Sequence, residues 1–288
     1  MLWSVLSSLA IAYGAVVVLV YLFQSRLVYF PQIGREVAVT PRAYGLAFDS
    51  LTIATADGEK LAAWWVPAER ARGAVLIFHG NAGNISHRLD YLAMFHGMAY
   101  SSLIVDYRGY GQSSGYPSEE GTYRDAEAAW RWLTVERRVE PEDIVLFGES
   151  LGAAVATWLA AQVPARACRA SSLHCPRALV LASTFTSVPD LGAQVYPFLP
   201  VRLISRYRYD NLAAIKAVTA PVLVAHSRDD DIVPFTHGRR LYEAANEPKQ
   251  FVEMRGGHND GFLFMRQEWV AQLAAFLERA EMRNTERR

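Results

Sequence analysis

The chain is poor in the features that mark several functional classes. Its two cysteines, Cys168 and Cys175, are too few for a disulfide framework in 288 residues and form no Cys-x-x-Cys zinc or redox pattern. They read as free thiols, or as one local loop bridge if the domain faces an oxidising compartment. Neither sign of charge is in excess, with Lys+Arg 29 against Asp+Glu 29, so no overall field draws the chain to nucleic acid. Internal repeats and low-complexity tracts are absent. Three aspartates run together at Asp229, Asp230 and Asp231, yet the Asp-x-Asp-x-Asp-Gly spacing of a calcium loop is missing. What remains is a polypeptide with the size of one large domain.

Charge is also missing locally. Leu2 through Phe23 carries no charged side chain and is long enough to cross a bilayer core as a helix. A cleaved signal peptide competes with this reading. No Lys or Arg precedes the apolar run, however, and the small-residue triplet Ala10-Ile11-Ala12 comes too early to follow a full apolar region. The expectation is a retained single-pass anchor over residues 1–24, a connector over 25–44 interrupted by Pro31, Gly34 and Pro41, and one catalytic domain over 45–288. The basic residues Arg26, Arg35 and Arg42 follow the apolar segment, which favours a cytoplasmic catalytic domain. Nothing in the sequence sets an oligomeric state.

Beyond the connector, Phe48 to Ile53 and Leu61 to Val66 flank Asp57-Gly58, a pair that a tight hairpin accepts easily. Short apolar runs follow at Ala74 to Phe78, Ser102 to Val105, Ile144 to Phe147, Ala178 to Leu181, Val222 to Ala225 and Gln250 to Met254. Strands so continuously apolar need cover on both faces. Helix-length segments alternate with them, at Ile85 to Met98, Glu119 to Val135, Leu151 to Gln162, His237 to Ala245 and Gln267 to Arg279. The pattern predicts an α/β fold, a mostly parallel sheet with helices on both faces and reactive groups on the loops at the carboxyl ends of its strands. The last residues, Glu281 to Arg288, read as a frayed polar end.

Gly148-Glu149-Ser150-Leu151-Gly152 comes directly after an apolar strand and directly before the small-residue run Ala153-Ala154-Val155-Ala156. A strand-to-helix turn this sharp strains the serine backbone and leaves room only for glycine on either side, which lifts Ser150 above the sheet as a nucleophile. The helix that follows aims its amino-terminal amides at a developing oxyanion, with Leu151 as one donor.

Three motifs together resemble the membrane-anchored esterase and serine-aminopeptidase-like branch of the alpha/beta-hydrolase superfamily: His79-Gly80-Asn81-Ala82-Gly83-Asn84, Asp106-Tyr107-Arg108-Gly109-Tyr110-Gly111 and the serine pentapeptide. The resemblance runs from about the connector to the last helix. It implies an alpha/beta-hydrolase fold and assigns the second oxyanion amide to Asn81. His79 then shapes the loop rather than acting as base. The family order of Ser, acid, His selects His258, within Gly256-Gly257-His258-Asn259-Asp260, as general base. His237, beside Gly238 at a helix start, is the alternative and reads as a cap or a solvent-facing residue. The family pattern Asp-x-Ile-Val-Pro matches Asp230 to Pro234 and selects Asp230 as the acid, with Asp229 second and the remaining aspartates solvated or paired with Arg228. Ser227 stands where the family usually has glycine.

Ser183 to Asn211, with Tyr196-Pro197-Phe198-Leu199-Pro200, reads as a small lid or pocket wall, or equally as a surface crossover. Residues 166 to 177 are longer than this branch carries and have no functional account. The expected chemistry is acyl transfer from an ester or thioester with an apolar acyl group, needing no metal or organic cofactor. A peptidase on short peptides is the nearest alternative, and a non-catalytic membrane-bound interaction module is the alternative of another class.

Overall fold

The computed structural model describes residues 2–163, 175–258 and 266–285. The chain opens with α1 (Leu2–Leu22), long and apolar enough to cross a membrane, and a short α2 (Ser25–Val28). The strands β1 (Asp49–Ala54) and β2 (Lys60–Val66) form the antiparallel hairpin expected around Asp57-Gly58. Then follow β3 (Ala74–Phe78), α3 (Leu89–Gly97), β4 (Ser101–Val105), α4 (Glu119–Arg131), β5 (Ile144–Glu149) and α5 (Leu151–Val163). Past the undescribed stretch come β6 (Ala178–Ala182), α6 (Val188–Val195), α7 (Val201–Ile204), α8 (Asn211–Ala214), β7 (Val222–Ser227), α9 (Phe235–Ala244), β8 (Lys249–Met254) and α10 (Gln267–Thr285).

The eight strands lie in the order β1-β2-β4-β3-β5-β6-β7-β8, antiparallel as far as β4 and parallel from β4 onward. This is the alpha/beta-hydrolase architecture, a mostly parallel sheet sandwiched between helices. Alternation along β3 shows why its sequence is apolar throughout. Ala74, Leu76 and Phe78 pack with α4 and α5 on one face, while Val75 and Ile77 pack with α3 and α10 on the other. In register, Phe78 pairs with Gly148, Glu149 with Ala182, and Ala182 with Ala225. The carboxyl ends of β3, β5, β6 and β7 therefore finish on one line, and the loops that follow them face each other.

Two expected helices differ in extent. The segment Ile85 to Met98 is broken: Asn84 caps a 3-10 turn at Ile85–His87, and α3 begins only after Arg88, whose side chain is drawn to Glu149 (2.8 Å). The end of the chain is not frayed from Glu281, because α10 continues to Thr285; Glu281 pairs with Arg72 across to the sheet, and Ala280 is buried. Cys175 is disulfide-bonded, whereas Cys168 and most of the 166 to 177 stretch lie outside the described residues.

Candidate active site

Ser150 occupies the turn between β5 and α5 with φ +53, a left-handed conformation that costs a non-glycine residue energy and persists only where its surroundings hold it. Three bonds hold it. Its amide donates to Ala182 (2.9 Å), while its carbonyl accepts from the Ala153 amide (3.1 Å) and the Thr184 hydroxyl (3.0 Å). The flanking glycines have no room for a side chain: a Cβ on Gly148 would lie 2.4 Å from the Ala153 Cα, and one on Gly152 2.1 Å from the Phe78 carbonyl oxygen. Thr184 belongs to no motif and shows no signal in the sequence.

The loop after β8 brings His258 over Ser150, with Nε2 3.1 Å from Oγ. On its other side Nδ1 lies 2.8 Å from Asp230 Oδ2. A carboxylate facing Nδ1 keeps a proton there, which leaves Nε2 free to accept from the Ser150 hydroxyl. The Asp230 side chain is fully buried, and burial pushes its carboxyl upward. Hydrogen bonding by His226 and His258 and the Val233 amide outweighs that cost and holds it well below the usual carboxylate range. Asp230 Oδ1 also accepts from the amides of Ile232 (3.0 Å) and Val233 (2.7 Å), so the turn that follows the acid orients it.

The other two aspartates separate cleanly. Asp231 accepts from the backbone amide of His258 (2.8 Å), and Asp229 faces Arg255 (3.4 Å). Neither hydrogen-bonds Arg228, which instead binds Glu253 through Nε and Nη2. Ser227 links the two loops: its hydroxyl donates to the Gly256 carbonyl (2.6 Å) and accepts from the Asp229 amide (3.1 Å). Asn259 and Asp260 lie outside the described residues.

His237 is neither a cap nor solvent-facing. The helix starts two residues earlier, at Phe235, and the ring is fully buried, bonded at Nδ1 to Thr186 and at Nε2 to Gln194 of α6. Burial, with help from Arg240, lowers it to about 4.

On the opposite side stands the loop after β3. His79 Nδ1 donates to the Gly80 carbonyl (2.7 Å), and Nε2 lies 3.4 Å from Asp106. The peptide whose carbonyl His79 holds is the one that carries the Asn81 N–H. Because a trans peptide is planar with its two ends opposed, this bond also fixes where that N–H points. The Asp106 to Gly111 motif braces the same loop. Tyr107 donates to the His79 carbonyl (3.0 Å), Tyr110 to the Asn81 carbonyl (2.9 Å), and Asp106 accepts from the Ile85 amide (2.9 Å). The Leu151 amide opens α5 and so has no acceptor one turn back within that helix.

A third support comes from the chain just after α1. The Phe30 amide donates to the Asn81 carbonyl (3.0 Å), and the Asn81 carboxamide donates to the Val28 carbonyl (3.1 Å). Asn84 bonds the carbonyls of Gly34 (2.6 Å) and Glu36 (3.1 Å). Tyr29 is buried beneath, its hydroxyl 2.8 Å from that of Tyr209. Sequence reasoning did not find these contacts, because the partners lie between 48 and 180 positions apart and no short motif records them.

A family model for the alpha/beta hydrolase fold matches residues 73–212. The alpha/beta hydrolase domain-containing protein WAV2 of Arabidopsis thaliana is 32% identical over 300 residues, covering 95% of this chain and 94% of its own. The chain belongs to the alpha/beta-hydrolase family. Uncharacterized protein Rv2307c of Mycobacterium tuberculosis is more similar, 42% identical over 261 residues with 89% of this chain and 88% of its own covered. Among solved structures, the Pyrococcus furiosus esterase Pf2001 superposes with a TM-score of 0.68 at 21% identity, over 84% of this chain and 94% of that one. At that identity the likeness is one of fold. Family and fold together support a hydrolytic activity.

Proposed function

We propose that the protein is a serine hydrolase that cleaves carboxylic ester or thioester bonds through an acyl-enzyme on Ser150. The observation that carries this reading is the line of contacts from Ser150 Oγ to His258 Nε2 (3.1 Å) and from His258 Nδ1 to Asp230 Oδ2 (2.8 Å). His258 removes the hydroxyl proton as Oγ attacks the carbonyl carbon, and the amides of Asn81 and Leu151 receive the negative oxygen. The proton then passes from His258 to the leaving alcohol or thiol as its bond to the acyl group breaks. Water, deprotonated by the same imidazole, releases the acid and restores Ser150. Asp230 stabilises the imidazolium that forms in each half-reaction. Residues 1–24 serve as a membrane anchor, 25–44 as its connector and 45–288 as the catalytic domain; the basic residues after α1 favour the cytoplasmic side, whereas the disulfide at Cys175 favours an oxidising one.

A fluorophosphonate probe applied to wild-type protein and to Ser150→Ala tests the nucleophile, and a series of p-nitrophenyl esters of increasing chain length tests the bond type. Labelling of the wild type alone, with ester turnover, is the expected result. A folded wild type that neither labels nor turns over any ester overturns the reading.

A further inference from the structure

The crossover between α6 and α8 exposes large apolar side chains, with Phe198 65% and Leu203 87% exposed and Val195 and Tyr196 beside them. Scattered singly, such residues need no explanation. Here they share a segment that runs along α1. The Tyr13 hydroxyl donates to the Phe198 carbonyl (2.8 Å). At the other end of the contact, the Gln24 carboxamide donates to the Ile204 carbonyl (2.7 Å) and accepts from the Arg206 amide (2.8 Å). Between them Val17 and Val20, on the same helical face as Tyr13, are partly covered while their neighbours in α1 are exposed. The Arg206 guanidinium sits over the Tyr21 ring at 5.7 Å, an arginine and aromatic pair suited to a membrane interface.

Length then sets the depth of this segment. The 21 residues of α1 span about 31 Å, which matches a hydrocarbon core of about 30 Å with nothing to spare. Residues 2 to 13 alone would reach only about 18 Å, so α1 cannot span a bilayer unless the part touching 198–206 is inside it too. Tyr13 is eight residues before Tyr21, which puts the Phe198 carbonyl about 12 Å deeper than Arg206. A tyrosine hydroxyl at that depth needs an acceptor, and Phe198 supplies it.

We infer that residues 195–204 form a lipid-contacting surface, whose occupant is the acyl-chain region of the bilayer that α1 spans. Arg202 is the one cation in that stretch; it pairs with Asp190 (3.2 Å), and its long stem lets the charged end reach the interface. The inference rests on the reading of α1 as an anchor and is independent of the chemistry at Ser150.

The full chain, reconstituted in phosphatidylcholine vesicles, is spin-labelled at Phe198→Cys and separately at Leu203→Cys. Leu9→Cys serves as the reference within α1 and Tyr116→Cys, at a side chain 90% exposed, as the aqueous one. Omitting reductant spares the disulfide at Cys175. Labels at Phe198 and Leu203 should collide freely with oxygen and be shielded several-fold from a nickel chelate relative to Tyr116, as Leu9 is. Access to the chelate equal to that at Tyr116, or shielding from both relaxants, overturns the inference while Leu9 remains lipid-shielded. A Leu9 label open to the chelate overturns the anchor reading and this inference together. Fluorophosphonate labelling of the same samples reports separately on Ser150.

Discussion

The two sides of Ser150 are built by different means. On the acid and base side the groups that matter are side chains, and their supports come from the same loops: Asp230 is oriented by amides two and three residues further on, and Ser227 joins its loop to Gly256. On the oxyanion side the candidate donor is a backbone amide, and its loop is held from a distance by Tyr107, Tyr110, Val28 and Phe30. Side-chain chemistry can be carried by a short motif. A backbone donor depends on whatever fixes its peptide plane, here including the stretch that leads out of α1.

The sharpest way to break this contrast is at the acid. Asp230→Asn keeps the shape of the site but no longer holds the proton of His258 on Nδ1, and kcat for a soluble ester should fall about 10⁴-fold with the folded state retained. A loss of less than about tenfold would remove Asp230 from the reaction. Next comes the turn shared by both sides. Gly152→Ala drives a Cβ to 2.1 Å from the Phe78 carbonyl oxygen and 2.5 Å from that of His79, backbone atoms that cannot yield cheaply. It should cost about 3 kcal/mol, read as a lower urea midpoint with an unchanged slope.

His237 makes the stability of the fold depend on pH. Its folded value is lowered to about 4, so the unfolded chain takes up a proton between about 6.5 and 4 that the folded chain refuses. Stability is therefore intact above that window and falls as the pH drops through it, by about 2 kcal/mol at pH 5. Urea midpoints at pH 7 and pH 5 should diverge by that amount more in the wild type than in His237→Gln. Equal pH dependence in both would place the ring's proton elsewhere. On the oxyanion side, Asn81→Ala keeps the backbone amide but cuts the carboxamide bond to Val28. The expected loss in kcat is about tenfold, well short of the ~10²–10³ for removal of a whole donor. No change in kcat would show that Tyr110 and Phe30 suffice to hold the peptide.

How far each part could be read in advance follows the same division. Strand positions were legible because buried parallel strands must be apolar on both faces, as β3 and β5 are. The family pattern picked Asp230 out of three neighbouring aspartates, and Asp230 is the one the structure places against His258. Misreadings arose where distant partners decide the outcome. His237 looked like a helix start because Gly238 follows it, but that glycine is there to let α9 approach His226, whose ring a Cβ would meet at 2.5 Å. Thr184 and Tyr29 left no local trace, since a single hydroxyl reaching across the fold has no periodicity and no spacing to betray it.

The smallest effect lies in the buried hydroxyl chain beneath the connector. Thr122 already donates to the Glu119 carbonyl (2.8 Å), so at its 2.8 Å contact with Tyr209 it must accept. Tyr209 therefore donates to Thr122, and Tyr29 donates to Tyr209. Tyr29→Phe removes the first donor of that series and leaves no buried proton without an acceptor, at a cost of about 1 kcal/mol. Tyr209→Phe strands the Tyr29 hydroxyl and should cost about twice as much. Urea denaturation of the two variants decides the direction of the chain: if Tyr29→Phe proves as damaging as Tyr209→Phe, the protons run the other way and the connector accepts from the domain beneath it.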